Sequence, residues 1–554
     1  MKIKSLLILV LSLVTLTAFG QDGGIKGRVV SRAGRIALGD VKITMTPGGT
    51  TTVSDAQGNF VFENIPAGEY SLQFETPEFE TSNIAVRVGS QMRDINAVIL
   101  VPDTQRQMID DAVFAEFDTE TTDDAQALPT SLSASKDLFN NIASYKFSEM
   151  RFNVRGYDSQ YQDVYMNGIQ LNDAMTGYTP WSLWSGLNDA TRNQEVTSGI
   201  VASDAGLGGI GGTTNIVTSP AQMRQGLRAS LVNGNSMYRF RAMVTYASGH
   251  QDNGWSYAFS VSTRQGGNSY VNGVYYNAFG YFAAVEKQFG QRHRLALTLL
   301  GAPTERGAQQ AATQEAYDLV GNNYYNPNWG WQDGKKRNAR VRNNHEPVVM
   351  LNYTFDISDR SKLDLATSLR FGMNGYSALT WQNGPDPRPD YYRYLPSYFA
   401  LDKNMLGAAW QQVYWQANYQ NIRHFDWDKM YQTNYIQNDP VDEAQYGPGR
   451  RSNYMVEERH TDQLDWNLVA NFSHIFRNNS KIYGGLSLRR NRTEYYSEVK
   501  DLLGGDYWAD IDKFAERDFG SNAIAYQNNL DYYYRHGHAH AAKVGDKYGY
   551  DYYA

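Results

Sequence analysis

From residue 226 onward, apolar and polar side chains alternate in runs of strand length, and this constrains the fold more than any other feature. In 238–246, Tyr238, Phe240, Ala242, Val244 and Tyr246 share one face, with Arg239, Arg241 and Thr245 on the other. Trp255, Tyr257, Phe259 and Val261 oppose Ser256, Ser260 and Ser262. Leu363, Leu365, Thr367, Leu369 and Phe371 oppose Asp364, Ser368 and Arg370; Leu464, Trp466, Leu468, Ala470 and Phe472 oppose Asp465, Asn467, Asn471 and Ser473. Successive side chains of a strand point to opposite faces. Runs of about 9–11 residues with this period are the signature of strands that cross a membrane, apolar toward lipid and polar toward a lumen. Such runs fall at 226–232, 238–247, 255–264, 278–289, 292–301, 347–356, 361–371, 462–476 and 480–491. Their connections alternate. Asp359-Arg360 is a tight turn, whereas 302–346 and 372–461 read as very long loops rich in Trp, Tyr, Asn and Pro, and 531–554 reads as a loop.

The N-terminus fits an exported chain. Lys2 and Lys4 precede an apolar run from Leu6 to Leu16, and Ala18-Phe19-Gly20 offers small residues for cleavage, so 1–20 reads as a signal peptide. The run is too short for the ~20 residues that span a bilayer. No later stretch approaches a membrane helix, so an exported chain either stays in water or inserts as a β-barrel. The absence of cysteine excludes disulfide scaffolds, Cys-ligated metal sites and thiol catalysis. A net charge of −7 argues against nucleic acid as a partner.

Residues 22–102 read as a small β-sandwich. Ile25, Gly27 and Val29 begin one strand and Val41, Ile43 and Met45 alternate in the next; Thr51–Val53, the turn at 55–58 and Asn59–Phe62 suggest a hairpin. The string GGIKGRVV…SDAQGNFVFENIPAGEYSLQF resembles the carboxypeptidase-regulatory-like domain, and no catalytic residues come with it. An acidic linker follows at 103–125, with eight carboxylates against Arg106 alone. Such a block repels itself and stays extended. Within it, Ala112, Val113, Phe114, Ala115, Glu116 and Phe117 form a short island with strand preference. Either it is residual stickiness in a tether, or it is a docking strand that lends its backbone to a partner's sheet edge.

Residues 126–222 form a compact mixed segment, with a helix expected at 135–143, strands near 152–155 and 164–166, and a type I′ hairpin signal at Asn167-Gly168. Gly206-Leu207-Gly208-Gly209-Ile210-Gly211 matches a dinucleotide fingerprint by letter. It lacks the following helix and the acidic residue about 20 positions on, so tight backbone packing is the better reading. His536, His538 and His540 alternate but have no fourth ligand at fixed spacing, so no metal is expected. Lys335, Lys336, Arg337, Arg340 and Arg342 form a basic run beside Trp329 and Trp331, suited to a polar or anionic contact. Tyr391, Tyr392 and Tyr394 offer stacking surfaces for a sugar or peptide. No nucleophile–histidine–acid arrangement is legible, so catalysis and cofactors are not expected.

FNVRGYDSQYQDVYMNGIQLND at 152–173 and GLGGIGGTTNIVTSP at 206–220 resemble the plug of a TonB-dependent outer-membrane receptor. With the regulatory-like domain, and with 314–332 and 386–399 similar to its external loops, the chain resembles the Bacteroidetes-type branch. The resemblance implies a fold that is mainly β: a small N-terminal β-sandwich, a mixed α/β plug at 126–222, then an antiparallel transmembrane β-barrel from 226 to 554. It implies a site in the Gram-negative outer membrane, with the N-terminal domain periplasmic. A TonB-type inner-membrane energy-transducing complex would pull on a docking segment, placed by position at Ala112–Phe117, to import a scarce or bulky nutrient. The plug motif carries over to Arg155, Gly156, Asn167, Gly168, Gly208, Gly209, Gly211 and Gly212. Trp329, Trp331, Tyr391, Tyr392 and Tyr394 are the candidate contacts for a small-molecule, glycan or peptide ligand. Outer-membrane lipid is the other partner, and the reading leaves room for a surface lipoprotein. The family's barrel has about 22 strands, more than the remaining residues supply, so the chain reads as an N-terminal fragment with an incomplete barrel. The alternatives are a passive porin-like channel and an exported carbohydrate-binding or adhesion module.

Overall fold

The computed structural model describes residues 23–31, 37–76, 79, 82–100, 145–146, 151–152, 157–197, 200, 206, 208–233, 238–267, 271–290, 292–358, 360–436, 445–477, 480–520 and 523–554. The signal peptide, the acidic linker with Ala112–Phe117, the helix expected at 135–143 and Arg155-Gly156 lie outside the described residues.

Residues 23–100 make two facing sheets. In one, Gly23–Ser31 runs antiparallel to Asn59–Ile65 and parallel to Met92–Leu100. The other is ordered Thr50–Val53, Lys42–Thr46, Gly68–Glu75, Ser82–Val88. Alternate side chains point inward, so Ile25, Val29, Ile43, Phe60, Phe62, Leu72 and Phe74 form one buried core. The hairpin expected across 55–58 does not form, because 50–53 and 59–65 belong to different sheets. The Asp55 carboxylate accepts from the Gln57 and Asn59 backbone N–H groups. That turn, in which the Gly58 (φ +80°) carbonyl accepts from Val29 N–H, carries the chain across to the opposite sheet.

The large sheet follows the alternation. Its path runs through Gly226–Asn233, Phe240–Ala247, Trp255–Gly266, Tyr276–Phe289, His293–Gly301, Val348–Ser358, Ser361–Trp381, Tyr454–Ile475, Lys481–Asp501 and Lys547–Tyr553. Each strand is antiparallel to the next. The last of these falls in the segment read as a loop from the sequence. Tyr548, Tyr550 and Tyr552 alternate there with Lys547, Gly549 and Asp551, and the backbone pairs with 481–501 across an irregular register.

The two faces are the reverse of a water-soluble sheet. Leu227, Val261, Leu297, Leu351, Leu365, Leu468 and Leu486 are exposed on the outer face. Thr245, Ser256, Ser260, Arg264, Thr298, Arg370, Asp465 and Asn467 are buried on the inner one. Aromatic residues mark both rims: Trp255, Phe289 and Phe476 at the short-turn ends, Phe240 and Phe279 toward the long-loop ends. An apolar outer band edged by aromatic girdles is what a bilayer requires of a spanning sheet.

The inner face wraps a globule built from 157–223. There Asp163–Met166 pairs with Ile169–Gln170 and runs parallel to Thr213–Ile216, which pairs in turn with Gln194–Thr197. Val164, Met166, Ile169, Trp184, Leu187 and Ile216 form one buried cluster with Ala247, Ala258, Phe282, Leu300, Met350, Ala366 and Val469, which come from seven successive strands of the wall.

The long loops are folded structures. Strands Ser361–Trp381, Tyr454–Ile475 and Lys481–Asp501 have 21, 22 and 21 residues. At about 3.3 Å per residue they rise far above an apolar band about 25 Å tall. Thr304–Gly307 and Val341–His345 add to this raised wall. The hairpin Trp329–Gln332/Lys335–Asn338 takes Phe425–Asp426 as a third strand. Helix Met405–Ala417 is capped by Asn404, whose side chain accepts from Gly407 N–H, and it buries Trp415 against Ala316, Tyr325 and Leu395.

The inverted faces generate a prediction. Leu297→Arg, at a 51% exposed position, should destabilise the protein in lipid vesicles by about 2–4 kcal/mol. A change on a water-facing surface stays within about 0.5 kcal/mol. Urea unfolding in vesicles measures the difference, and a neutral outcome would mean that this face meets water.

Candidate functional site: the latch between globule and wall

Local geometry fixes the globule first. Asn167 (φ +49°) and Gly168 (φ +81°) form the tip of the first hairpin. The Asn167 side chain is held reciprocally: its amide donates to Thr218 Oγ1 (2.7 Å) and its oxygen accepts from Thr218 N–H (2.8 Å). Gly168 N–H donates to Asn215 Oδ1 at 3.1 Å, and the Asn352 amide reaches from the wall to the Asn167 carbonyl at 3.1 Å. The glycine run folds against 161–163. Gly211 N–H donates to the Tyr161 carbonyl, and a Cβ on Gly209 or Gly211 would meet that oxygen at 2.8 or 3.0 Å. Gly208 and Gly212 take φ of +86° and +96°, where side chains are rarely tolerated.

Beside the apolar cluster they share, the wall holds the globule through a set of polar contacts. The centre is Arg370, 2% exposed, on strand 361–381. Its guanidinium lies 3.8 Å from Asp173 of the globule, 3.6 Å from Glu346 and 3.9 Å from Asp465. It also donates to the Leu171 carbonyl at 3.5 Å and contacts Gln463. Gln463 donates to Asp173 Oδ2 at 2.6 Å, and Arg489 forks onto both Asp465 oxygens at 2.9 and 2.6 Å. Asp173 also accepts from the backbone of Met175 and Thr176, so one carboxylate orders the 173–178 loop and fastens it to the wall. Arg264 donates to Ser185 Oγ (2.6 Å), Ser219 donates to Glu286 (2.6 Å), and Arg228 approaches Asp189 (3.4 Å). Such contacts exchange for water at small net cost, while a charge stripped of its partner is expensive. Sequence reading missed this latch, because its partners lie up to 290 positions apart and each looks like one more inward polar residue.

The five aromatic candidates fall into two groups. Trp329 is 4% exposed, its ring 4.2 Å from His424 and 5.6 Å from Trp331. A Cβ on Gly273 would meet Trp329 at 2.2 Å, so Trp329 is a packing residue, whereas Trp331 is 42% exposed. Tyr391, Tyr392 and Tyr394 cluster edge to face, with Arg388 over Tyr391 and Arg393 over Tyr392. Tyr394 is committed to the loop's own hydrogen bonds: its hydroxyl donates to the Asp386 carbonyl and its carbonyl accepts from Gln411 and Trp415. Tyr392 stays open, 52% exposed. The histidine cluster is tied internally. His540 Nδ1 lies 2.9 Å from buried Asp510, and the rings of His536 and His540 lie against Tyr532. Among the described residues no group of His, Cys, Asp and Glu is arranged to hold a metal ion.

Two predictions follow from this geometry. Arg370→Met leaves Asp173 and Glu346 without their cation, with Arg489 still on Asp465, and should cost about 3–5 kcal/mol, whereas Asp173→Asn should cost about 1.5–3 kcal/mol. Both are read as earlier urea-induced proteolysis within 157–223. The second prediction concerns His424. Burial, helped by Arg423 and Lys336, pushes its imidazole down to about 4 from 6.5. The folded state then binds fewer protons than the unfolded one between those values. The stability His424 contributes is complete above pH 6.5 and is lost as pH falls toward 4. Amide exchange in 329–338 and 425–426 should quicken over that window, and His424→Phe should abolish the change.

Comparisons with known proteins agree with this architecture in part. Residues 24–99 match the carboxypeptidase regulatory-like domain. The chain is 34% identical over 100 residues to the TonB-dependent transporter Oar of Myxococcus xanthus, covering 17% of this chain and 9% of the transporter. The ferric-catecholate import receptor Fiu of E. coli K12 superposes at 13% identity and a TM-score of 0.37, over 63% of this chain and 46% of the receptor. The unliganded ferric citrate transporter FecA superposes at 11% identity and a TM-score of 0.38, over 64% and 42%. The chain thus spans less than half the length of these solved structures, and at such scores the superpositions carry no weight of their own. The sequence similarity points to the outer membrane. The chain thus sets a segment similar to the carboxypeptidase regulatory-like domain ahead of a sheet-wrapped globule, and over 100 residues it is similar to a TonB-dependent transporter.

Proposed function

We propose that this chain acts in energy-coupled import across the outer membrane, with the globule at 157–223 as a plug and no catalysis of its own. The observation that carries the reading is the contrast between the two faces of the sheet. The outer face is apolar and unpartnered, while the inner face is polar and occupied by the globule. A passive pore needs a clear lumen, and a soluble carbohydrate-binding module would not turn leucines outward along strand after strand. The latch on Asp173 adds, beside the apolar cluster, a polar hold whose ionic and hydrogen-bonded contacts can be traded for water.

In this reading the long-loop end faces outward and captures a solute. The short-turn end faces the periplasm, with the regulatory-like domain on that side. A TonB-type inner-membrane complex takes hold of Ala112–Phe117 and transmits force to the plug. Arg155, Gly156, Asn167, Gly168 and the glycines from Gly208 to Gly212 serve as its structural elements. Trp331 and Tyr392, the most exposed of the five aromatic candidates, are the ones able to touch a ligand.

Deleting 103–118 in the chain as expressed in its own cell tests the proposal. Uptake should fall to background while the protein still reaches the outer membrane. Uptake that persists after the deletion would favour a passive channel and overturn the reading.

A further inference from the structure

At the long-loop end, the hairpin 329–338 leans over the raised wall and encloses a cavity of about 830 Å³. That is the size of pockets that take small ligands, about 300–1,000 Å³. Its charged lining is predominantly basic: Lys335, Lys336, Arg337 and Lys500 against Asp333 and Asp501. Two of the cations are already matched. Arg337 donates to Asp501 at 2.6 Å and its guanidinium lies over Trp427, and Lys500 donates to Glu458 at 2.6 Å. The other two have no carboxylate partner among the described residues. Lys336 donates to the Asn272 side-chain oxygen at 2.8 Å, with its ammonium over the rings of Trp329 and Trp331. Lys335 stands exposed at the rim, and Asp333 points out at the tip of the turn.

This local excess of positive charge runs against the chain as a whole, whose net charge is −7. An ammonium partly withdrawn from water and stacked on indoles gains from an anion more than a fully hydrated one does. Burial lowers the proton affinity of Lys336, the direction expected of a cation that lacks a counter-charge.

We propose that this cavity is a capture site for an oxyanion-bearing ligand, with Lys335 and Lys336 supplying the charge. The inference deepens the import reading and rests on it for the outward placement of the site. The phosphate or carboxylate groups could belong to a free solute or to a lipid headgroup, and the test separates the two.

Binding is measured calorimetrically on the full chain in detergent, with tripolyphosphate and citrate as probes and maltotriose as the uncharged control. A parallel arm uses vesicles of phosphatidylglycerol and of phosphatidylcholine. Saturable binding of either anion, weakened at least tenfold in K335Q/K336Q and restored in K335R/K336R, supports a free solute. Preference for phosphatidylglycerol vesicles that disappears in K335Q/K336Q and returns in K335R/K336R supports the headgroup. Anion binding that is unchanged in K335Q/K336Q, or absent in both arms, overturns the proposal. The arginine pair separates loss of charge from loss of fold. Deleting 103–118 should leave this binding intact, so the capture site and the coupling reading can fail separately.

Discussion

Backbone hydrogen bonding in hydrocarbon is the constraint on which the rest of the structure depends. Within lipid no water is available for an unpaired N–H or C=O, so strands must pair with strands and send polar side chains inward. Pairing between neighbouring strands from 226 to 501 meets that demand inside the sheet, while the outer edges of Gly226–Asn233 and of 481–492 have no strand partner among the described residues; the inverted faces follow from the same demand. The inward arginines, carboxylates and hydroxyls in turn decide what can fill the lumen. An oily globule would leave those groups unsatisfied. The globule here presents Asp173, Ser185, Asp189 and Ser219 to Arg370, Arg264, Arg228 and Glu286, and packs its apolar residues against Ala258, Phe282, Leu300, Met350 and Val469 of the wall.

The same wall changes character above the apolar band. Tyr454 to Glu458 are buried on both faces, because the external loops pack outside and over the raised strands. Phe425, Trp427, Met430, Tyr454 and Leu503 form a core that joins the hairpin, a helix at Trp427–Ile436 and the wall, while Asn434 ties that helix to the Tyr454, Leu502 and Leu503 carbonyls. The loops are therefore a rigid frame in which the basic cavity and the exposed Trp331 are held in place. Preorganisation of this kind lowers the entropy cost of capturing a ligand.

These differences explain what was legible in the sequence. Alternation in Leu363–Phe371 and Leu464–Phe472 could be read because lipid on one side and a polar lumen on the other impose a strict period of two. The upper halves of the same strands could not, because burial on both faces erases the period, and 372–461 looked like uninterrupted loop. Lys547–Tyr553 was missed for a different reason: Tyr548, Tyr550 and Tyr552 alternate with Lys547, Gly549 and Asp551, but the run is short and follows a tyrosine-rich stretch without that period. The supposed hairpin at 51–62 failed because a turn signal specifies a local bend but not which sheet receives the next strand. The Asn167-Gly168 turn and the glycine run were visible because their chemistry is local. The latch and the Lys336–Trp331 stack were not, since Arg370, Asp173 and Gln463, like Lys336 and Asn272, meet only in three dimensions.

The most direct measurement is the solvent and lipid accessibility of strand His293–Gly301, residue by residue. The chain contains no cysteine, so a single introduced thiol can be spin-labelled at each position in vesicles. Collision rates with oxygen, which concentrates in hydrocarbon, should be high at 295, 297 and 299 and low at 296, 298 and 300, with a water-soluble nickel complex excluded from the first set. Free access of the nickel complex to 295, 297 and 299 would place that face in water and contradict the account.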